Sequence, residues 1–534
     1  LKERLDTEHT EVTAQLADIA VNVRKFGAVG DGVTDDTEAF KNALSIANNH
    51  KYTLLIPEGT YLITSEINIC CNVNCLGEII VPNSGHVGNF IVLPFGERVE
   101  VEGEDFFTSN KLLADNTIFE INTPSGINDL GDYYFVIRSE EKLVTRFHEE
   151  NLSYYTKDEG GEIVRQRGNF IQLRTPLLYN HDTSQFKIVL SKKTPTINVN
   201  GLKIKRYNSG GKNEHNQQLL TIQRNNVIFN NTDIVNGENM PLYTGLRLDN
   251  THNIIFNTLK IENIYGDLGT NYPIGNSRSS FIYFNHYNYK ETNHNSRNER
   301  GYTARHGNYV YFNNSFLYGI DDHYGSNYYV INTEVGIRGI TYSGKNLTLI
   351  DSIINEAYEG IVSRADIGHN EGKLYLKNCT FIGSVYPIRH KVPEVETPDQ
   401  RQPVFPLRFY DEIILENVQV KRGSRGQDIA GVIQTPGSNP ILPDHNYKYG
   451  NITLKNVHTY NELIRLIDGI NVEIDGITLD NCSHGESEGI LIRKLGNHDK
   501  IVDKIVIKDS DDVSIHAQFE PSINNIEYRN TDFS

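Results

Sequence analysis

The stretch GIDDHYGS, residues 319–326, brings together side chains that could carry out acid–base chemistry. Asp321 and Asp322 are adjacent carboxylates, and a like charge beside a carboxyl raises its pKa and suits it to proton donation. His323 follows directly and could tune this pair or bind a substrate hydroxyl, while Tyr324 offers a ring face to a sugar. The stretch is either a catalytic cluster or a polar turn, and the surrounding elements decide between the two.

A repeat through this region predicts how its residues stack. Gly-Ile occurs at 319–320, 339–340 and 360–361 and Pro-Ile at 387–388, at intervals of 20, 21 and 27 residues. Side chains alternate along a strand, so if each Ile faces a core the next residue faces outwards. This predicts a first outward column of Asp321, Thr341, Val362 and Arg389, and a second of His323, Ser343, Arg364 and Lys391. Between the two columns lie Asp322, Tyr342, Ser363 and His390.

A further carboxylate completes the candidate catalytic site. Asp366 lies two residues beyond Arg364 and would point the same way. Carboxylates two coils apart would be separated by about 9–10 Å, near the upper end of the range of about 6.5–9.5 Å for inverting glycosidases. We therefore predict Asp321 or Asp322 and Asp366 as the acid/base pair, assisted by His323.

Cationic and aromatic side chains lie around the predicted acids. Arginine and lysine would hold an anionic group of the substrate, either phosphate or uronate, and tyrosine rings would stack on sugars. The predicted substrate-binding residues are Tyr324, Tyr342, Arg364, Arg389, Lys391 and Arg338.

An internal repeat predicts the architecture that carries these columns. From about residue 195 an apolar-x-Asn-x phrase recurs as FNNT, FNNS, LKNC, LENV, LKNV and LDNC, with several intervals of 18 to 27 residues. One coil of a parallel β-helix takes about this length. Asn suits its turns because it tolerates left-handed backbone and its amide can hydrogen-bond along a stack. The repeat predicts an all-β solenoid, a parallel β-helix. A β-propeller, with longer repeats of four antiparallel strands, fits less well.

The chain divides into four segments. Residues 1–20 have good helix formers with apolar residues at sevenfold spacing, which predicts a helical stem, either a short coiled coil or a lone surface helix. Residues 21–85 are predicted as an N-terminal cap of strand, helix and hairpin. Residues 86–195 contain strand-like pieces without the Asn phrase and are assigned as a β-rich insertion or early coils. Residues 196–534 form the predicted parallel β-helix.

Composition restricts the function classes. The 534 residues carry a formal net charge of −17, which argues against a nucleic-acid partner because binding phosphates requires Lys and Arg. No apolar run approaches the roughly 20 residues of a membrane-spanning helix, so no membrane insertion is expected. The five cysteines lack metal-ligand spacing, and we expect no metal and no cofactor. Because the sequence opens on Leu1, we interpret it as a piece of a longer protein.

Longer phrases carry a resemblance to a known family. FGAVGDGVTDDTEAF followed by LLIPEGTYLIT resembles the cap of the pectate-lyase-like (polygalacturonase-like) right-handed parallel β-helix superfamily, which includes many bacteriophage tailspikes. GIDDHYGSNYYVIN and the coils after it resemble the pre-neck appendage proteins of Bacillus phages, and residues 1–23 resemble a phage stem. The resemblance implies a homotrimeric spike of the virion, attached to the phage tail or neck through its N-terminal side. It also implies degradation of a host surface glycan (teichoic acid, capsular polysaccharide or exopolysaccharide) of a Gram-positive bacterium.

The coils after the double Asp depart from the pattern of that family. Arg338, Thr341, Ser363 and Arg364 stand where the resemblance would place acids, so the catalytic acids of the family are not carried over. The sequence favours a glycan depolymerase that acts by hydrolysis. The alternative enzyme is a polysaccharide lyase that uses His323, Arg, Lys or Tyr on a uronate. The alternative of another class is a receptor-binding spike without turnover.

Overall fold

The repeated Asn phrase folds as a strand followed by a turn. In the strand Asn308–Asn313, Val310 and Phe312 are buried in the core while Tyr311 between them is partly exposed. The chain then turns at Asn314, whose φ of 49° lies in the left-handed region that Asn tolerates. Because neighbouring coils repeat this pattern, each strand pairs in parallel with its equivalents one coil away.

The computed structural model describes residues 20–82, 88–148, 151–207, 218–237, 244–262, 272–290, 301–364, 366–391, 408–424, 432–434, 447–459, 465–469, 472–484, 490–494, 502–510, 513–517 and 523–529. The helical stem that the sequence predicts over residues 1–20 lies, except for its last residue, outside this part of the chain.

The strands wind into a parallel β-helix, which confirms the fold that the sequence predicts. One face is a 14-stranded sheet, here called the site sheet. Its strands are Ile67–Asn68, Asn89–Leu93, Gln218–Ile222, Thr244–Asp249, Tyr272–Ser277, Tyr302–Arg305, Ile320–Asp322, Ile340–Thr341, Glu359–Val362, Tyr386–Arg389, Ile433–Gln434, Arg465–Gly469, Ile490–Lys494 and Val513–Ala517.

A 28-stranded sheet, here called the long sheet, forms the rest of the wall. Its strands are Ala20–Asn22, Asp31–Asp35, Thr53–Ile56, Thr60–Leu62, Val73–Cys75, Glu78–Pro82, Ile197–Asn200, Lys203–Tyr207, Val227–Asn230, Thr232–Val235, His252–Phe256, Leu259–Glu262, Ser280–Asn285, Tyr287–Lys290, Asn308–Asn313, Phe316–Leu317, Gly325–Ile331, Glu334–Val335, Gly344–Ile350, Ile353–Asn355, Glu371–Lys377, Thr380–Ile382, Arg408–Lys421, Tyr447–Thr459, Val472–Asp480, Ser483–His484, Val502–Lys508 and Ile523–Arg529.

The core runs along the inside of the coils as stacks of equivalent side chains. Phe229, Phe256, Phe284 and Phe312 are fully buried, and their ring centroids follow one another at 4.7, 5.3 and 5.1 Å. Burying a side chain of this size contributes about 1.5–3 kcal/mol. The strand spacing thus sets the stacking distance of the rings and keeps successive coils in register.

A helix covers the first coils. Thr37–His50 buries Phe40, Ala43 and Leu44 and packs against the strands Ala20–Asn22 and Thr53–Ile56. Among the described residues, no helix is both long and apolar enough to cross a bilayer. The helix belongs to the cap that the sequence predicts over residues 21–85.

An antiparallel insertion interrupts the solenoid between residues 98 and 192. Its strands are Arg98–Glu102, Lys111–Leu112, Ile118–Glu120, Tyr133–Ser139, Lys142–His148, Asn151–Thr156, Glu159–Arg167, Phe170–Leu173, His181–Asp182 and Phe186–Lys192. Short helical segments are Gly103–Phe106, Leu130–Asp132 and Thr183–Gln185 in the insertion and Val23–Phe26 in the cap. Lys142–His148 and Asn151–Thr156 pair with each other as a separate two-stranded unit, here called the hairpin.

The predicted segment 86–195, assigned as a β-rich insertion or early coils, contains both an insertion and a strand of the coils. The strand Asn89–Leu93 pairs in parallel with Ile67–Asn68 and Gln218–Ile222 and is part of the site sheet. On the long sheet, Asn200 donates to Asn74 at 2.9 Å, so the amide stack starts before the insertion. These coils could not be recognised from the Asn phrase because the insertion separates them from it.

The insertion lies along the outside of the coils that follow it. Hydrogen bonds that join it to them include Tyr134–Asn226 at 2.7 Å, Arg278–Asp158 at 2.5 Å, Asn308–Gly160 at 3.2 Å and Lys345–Leu178 at 3.0 Å. The hairpin itself lies over the site sheet near Asp321, where Arg146 binds Asp366 and Tyr155 meets His323.

Candidate functional site

The first outward column that the Gly-Ile repeat predicts is confirmed. Successive strands of the site sheet pair Asp321, Thr341, Val362 and Arg389 in register. The same register continues towards the N-terminus through Thr303, Gly275 and Arg247. The sheet therefore presents one continuous outward column across the candidate site.

The second column is regular only on its N-terminal side. Ser277 pairs with Arg305, and the backbone N–H of His323 donates to the Ala304 carbonyl at 2.8 Å, which puts His323 one coil after Arg305. In the next coil the strand Ile340–Thr341 ends before Ser343, and the Arg364 N–H donates to Ser343 Oγ at 3.2 Å instead of continuing a ladder.

Asp322 points into the solenoid and is fully buried. Its Oδ1 accepts a 2.9 Å hydrogen bond from the Tyr328 hydroxyl, and its Oδ2 accepts from the backbone N–H of Gly325. Burial raises the pKa of Asp322 to about 8, although both hydrogen bonds favour the charged form. Strand alternation thus separates the two adjacent carboxylates, and Asp322 is excluded as a group that meets substrate.

Asp321 and Asp366 both bind the guanidinium of Arg364. Arg364 Nη1 donates to Asp321 Oδ1, while Nε and Nη2 donate to Asp366 at 2.9 and 3.1 Å. Arg146 of the hairpin adds a 2.7 Å bond from Nε to Asp366 Oδ2. Burial raises the pKa of Asp366, but Arg364 and Arg146 outweigh it and hold that pKa below its usual range.

This arrangement corrects two predictions. An inverting glycosidase holds a water molecule between its two carboxylates. The space between Asp321 and Asp366 is occupied instead by the Arg364 guanidinium. Arg364, which the sequence assigned to a substrate anion, already forms ion pairs with both carboxylates.

Tyr155 of the hairpin meets His323 beside this ion-pair network, with 3.2 Å between Oη and Nδ1. Burial and the charge of Arg364 lower the pKa of His323 to about 4, so its imidazole is neutral near neutral pH. Burial raises the pKa of Tyr155, so its hydroxyl keeps its proton. A neutral proton acceptor and a proton donor therefore lie side by side.

Both rings line a groove of about 450 Å³ between the hairpin and the site sheet. The lining residues are Arg146, Tyr155, Thr244, Arg247, Tyr272, Gly275, Asn276, Ser277, Thr303, Ala304, Arg305 and His323. The Tyr272 hydroxyl donates to Asp321 Oδ2 at 3.4 Å, which links the groove to the ion-pair network. Three arginines line this groove although the whole chain is acidic, and one of them, Arg146, is paired with Asp366.

The two tyrosines predicted to stack on sugars lie elsewhere. Tyr324 is 1% exposed and packs on Tyr155 with 6.1 Å between ring centroids, underneath the hairpin. Tyr342 is fully buried, and its hydroxyl lies 3.0 Å from the carbonyl oxygen of Lys345. The prediction is wrong for both because their rings face protein instead of the groove.

The remaining predicted residues lie outside the lining of the groove. Arg389 Nη1 and Lys391 Nζ each bind Glu359 at 2.6 Å, so one carboxylate holds both cations. The backbone N–H of Arg338 donates to the Tyr318 carbonyl at 3.3 Å. In the described part of the chain, no three His, Cys, Asp or Glu side chains are grouped as a metal site would require.

Sequence reasoning missed five groove residues with ionisable side chains. Arg247, Tyr272 and Arg305 belong to the coils before the Gly-Ile repeat. Extending the predicted columns backwards through GLRLD, YPIGN and YTARHG would have found Arg247 and Arg305, whereas Tyr272 lies outside both columns. Arg146 and Tyr155 come from the hairpin, for which no local pattern exists.

Comparisons with known proteins agree with this fold. Residues 20–125 match the family model of rhamnogalacturonase A/epimerase, pectate lyase-like. The pre-neck appendage protein of Bacillus phage B103 is 30% identical over 123 residues, which is 23% of this chain and 14% of that protein. The preneck appendage protein of Bacillus phage PZA is 29% identical over 110 residues, which is 20% of this chain and 12% of that protein. The chain thus matches only a small part of the length of these relatives.

Two solved tailspikes share the fold along most of the chain. The tailspike protein gp49 from Pseudomonas phage LKA1 has a TM-score of 0.53 at 14% identity and covers 94% of this chain and 83% of its own. Gp54 tailspike of Acinetobacter baumannii bacteriophage AP22, in complex with A. baumannii capsular saccharide, has a TM-score of 0.51 at 11% identity, covering 90% and 78%.

The described strands form a parallel β-helix with a helix over its first coils, and residues 20–125 resemble the pectate-lyase-like family model. The matches with pre-neck appendage proteins and tailspikes of bacteriophages confirm the resemblance recognised from the sequence. These relatives are components of the phage virion, which is the location that the resemblance implies for this chain.

Proposed function

We propose that this chain is a phage spike that binds an acidic glycan of the host surface in the groove and cleaves it by β-elimination at a uronate. The observation that carries the proposal is the pair Tyr155 and His323, in contact at 3.2 Å at the wall of an arginine-lined groove. The preneck relatives come from Bacillus phages, which supports a Gram-positive host, and the Gp54 complex supports a saccharide ligand.

The elimination needs three roles, and groove residues supply them. Arg305 lies one coil from His323 and would bind the uronate carboxylate, which makes the proton on the adjacent carbon more acidic. With a proton on Nδ1 donated to Tyr155 Oη, His323 has its Nε2 lone pair available to take that carbon-bound proton.

The leaving group then receives its proton from Tyr155. As the bond between the neighbouring carbon and the glycosidic oxygen breaks, the Tyr155 hydroxyl protonates that oxygen, and the electron pair of the broken C–H bond forms the carbon–carbon double bond. Transfer of the Nδ1 proton from His323 to Tyr155 Oη leaves both groups neutral, and exchange of the Nε2 proton with solvent then returns His323 to its starting tautomer. No water and no cofactor is consumed.

Hydrolysis by Asp321 and Asp366 is the second candidate, since both carboxylates meet at Arg364 next to the groove. A glycosidase needs one carboxylic acid whose pKa is raised, so that it holds a proton to donate. Arg364 and Arg146 instead hold the pKa of Asp366 low, and this favours elimination.

The test is digestion of uronate-containing capsules and teichoic acids of Gram-positive bacteria with the purified chain. We expect shorter chains and the ultraviolet absorbance of an unsaturated uronate. His323→Ala and Tyr155→Phe should each lower turnover at least about 100-fold, the usual scale for losing a general acid or base. His50→Ala, at an exposed position on the cap helix, is the matched control and should leave turnover unchanged.

Two further readouts separate the candidates. Because the base must be unprotonated, kcat/KM should hold as pH falls from 7 and drop only near the His323 pKa of about 4. Gly275→Leu should abolish binding with little change in Tm, since a Cβ there meets only Thr244, at 3.4 Å.

New reducing ends without ultraviolet absorbance, lost in Asp321→Asn and Asp366→Asn, would establish hydrolysis instead. Binding without any cleavage would leave a receptor-binding spike.

A further inference from the structure

Two arginines stand at different points along the groove. Arg247 lies in the first outward column, and Thr303 occupies the same column two coils later. Arg305 follows Thr303 by two residues, in the second column and next to His323. Because parallel strands lie about 4.8 Å apart, Arg247 and Arg305 stand about 10 Å apart along the axis of the solenoid.

Neither arginine is neutralised by the part of the chain that the structure describes. No described carboxylate lies within ion-pair distance of Arg247 or Arg305, whereas the third arginine of the groove, Arg146, binds Asp366. Asp249, on the same strand as Arg247, accepts a 2.7 Å hydrogen bond from Asn250 instead. The Arg305 guanidinium lies 5.6 Å from the centre of the Tyr155 ring, at the mouth of the groove. Both cations are thus available to a ligand.

The floor between the two arginines is shallow and uncharged. The coil between them contributes Gly275 to the first column and Ser277 to the second. Neither side chain can neutralise an acidic group, and the absent side chain at Gly275 leaves space for a ring. A pyranose in an extended glycan advances the chain by close to one coil spacing, so two coils correspond to two sugars.

We infer that Arg247 forms a second anion subsite, so that the groove recognises a glycan carrying an acidic group on every second sugar. The inference rests on the proposed function. Arg305 would hold the acid of the sugar that is cleaved, an uncharged sugar would lie over Gly275, and Arg247 would hold the next acid. Arg247 is then a specificity residue: it binds substrate at a distance from the bond that breaks.

The test is titration calorimetry of the full chain with three probes of defined charge spacing. These are hyaluronan oligosaccharides with an acid on alternate sugars, oligogalacturonate with an acid on every sugar, and uncharged chitooligosaccharides, supplemented by capsular polysaccharides of either acidic pattern. We expect the alternating polymers to bind most tightly. Arg247→Gln should weaken their binding at least about tenfold, the scale of a lost charge-assisted hydrogen bond, and reduce its sensitivity to salt.

Arg167→Gln is the matched control, an exposed arginine of the insertion outside the groove, and should bind like the unmodified chain. Where a polymer is cleaved, Arg247→Gln should act mainly on KM. Tighter binding of another charge pattern, no binding of any acidic polymer, or an Arg247→Gln variant that behaves like Arg167→Gln would each overturn the inference. Tight binding of alternating polymers without cleavage would overturn the elimination proposal and leave the subsite standing.

Discussion

At the scale of single residues, adjacent identical side chains acquire opposite properties from the face of the strand they occupy. Asp321 faces outwards, and its carboxylate is bound by Arg364. Asp322 faces inwards, and burial raises its pKa to about 8. The sequence correctly indicates that only one of them can face the groove, because alternation is a local property. It could not indicate that Arg364 binds Asp321, because that contact depends on the direction of the Arg364 side chain, which lies two coils further along the solenoid.

Asp322 supplies a prediction for stability. Its folded-state pKa of about 8 lies above the ordinary 3.8, so the folded state prefers the protonated form and loses stability as pH rises between these two values. Asp322→Asn keeps the shape without the charge and can hydrogen-bond Tyr328 and Gly325. We expect the free energy of unfolding of the variant to exceed that of the unmodified chain by an amount that grows from pH about 4 to about 8.

Denaturant titrations across this pH range measure the difference. Asp321→Asn is the neighbouring control and should destabilise, because it leaves Arg364 without one of its two carboxylates. A difference for Asp322→Asn that stays constant with pH would contradict the raised pKa.

At the scale of elements, the sequence predicts the turns well but does not predict the hairpin that forms one wall of the groove. The Asn phrase specifies its own turn, because Asn tolerates positive φ and its amide reaches the equivalent Asn one coil away. The hairpin wall has no comparable signal. Arg146 and Asp366 are 220 residues apart in the chain, and no periodicity of either segment reports on their contact.

The stack of Asn amides in the turns gives the second prediction. Asn417 has a φ of 54°, donates to Asn378 Oδ1 at 2.9 Å and accepts from Asn456 at 2.8 Å. Asn417→Ala should lower the free energy of unfolding by about 1–3 kcal/mol, from lost hydrogen bonds and the strain of a left-handed non-glycine residue. Asn378→Ala should behave alike, and neither should change activity per folded molecule.

Asn417→Gly separates the two causes, since glycine adopts positive φ freely but has no amide. It should lose less stability than Asn417→Ala in thermal or denaturant melts. The Asn417 side chain is exposed. Equal losses for both variants would mean that the hydrogen bonds alone matter.

At the scale of the whole molecule, we propose a homotrimer. On the outer face of the long sheet an uncharged column crosses successive coils: Asn198, Ile228, Ile255, Tyr283, Tyr311, Tyr329, Thr348, Tyr375, Ile414, Thr453, Thr478 and Val506. Tyr283, Tyr311 and Tyr329 stack at 4.7 and 4.6 Å and remain partly exposed. An uncharged strip of this length in an acidic chain suits burial against further copies.

Light scattering should therefore give three times the 60.6 kDa of one chain. Tyr311→Glu, which puts a charge into the strip, should weaken the assembly, while Lys377→Glu, at an exposed position on the same sheet, should not. A monomer at micromolar concentration would count against the trimer.

The long separation between Arg146 and Asp366 has a consequence for synthesis. At about 5–20 residues per second, the ribosome takes roughly 10–40 s to make the 220 residues between them. During that interval the hairpin has left the ribosome while the coils that will support it do not yet exist. The hairpin is consequently made well before the coils that it contacts, so the nascent chain passes through a stage at which this wall of the groove exists without the rest of the groove.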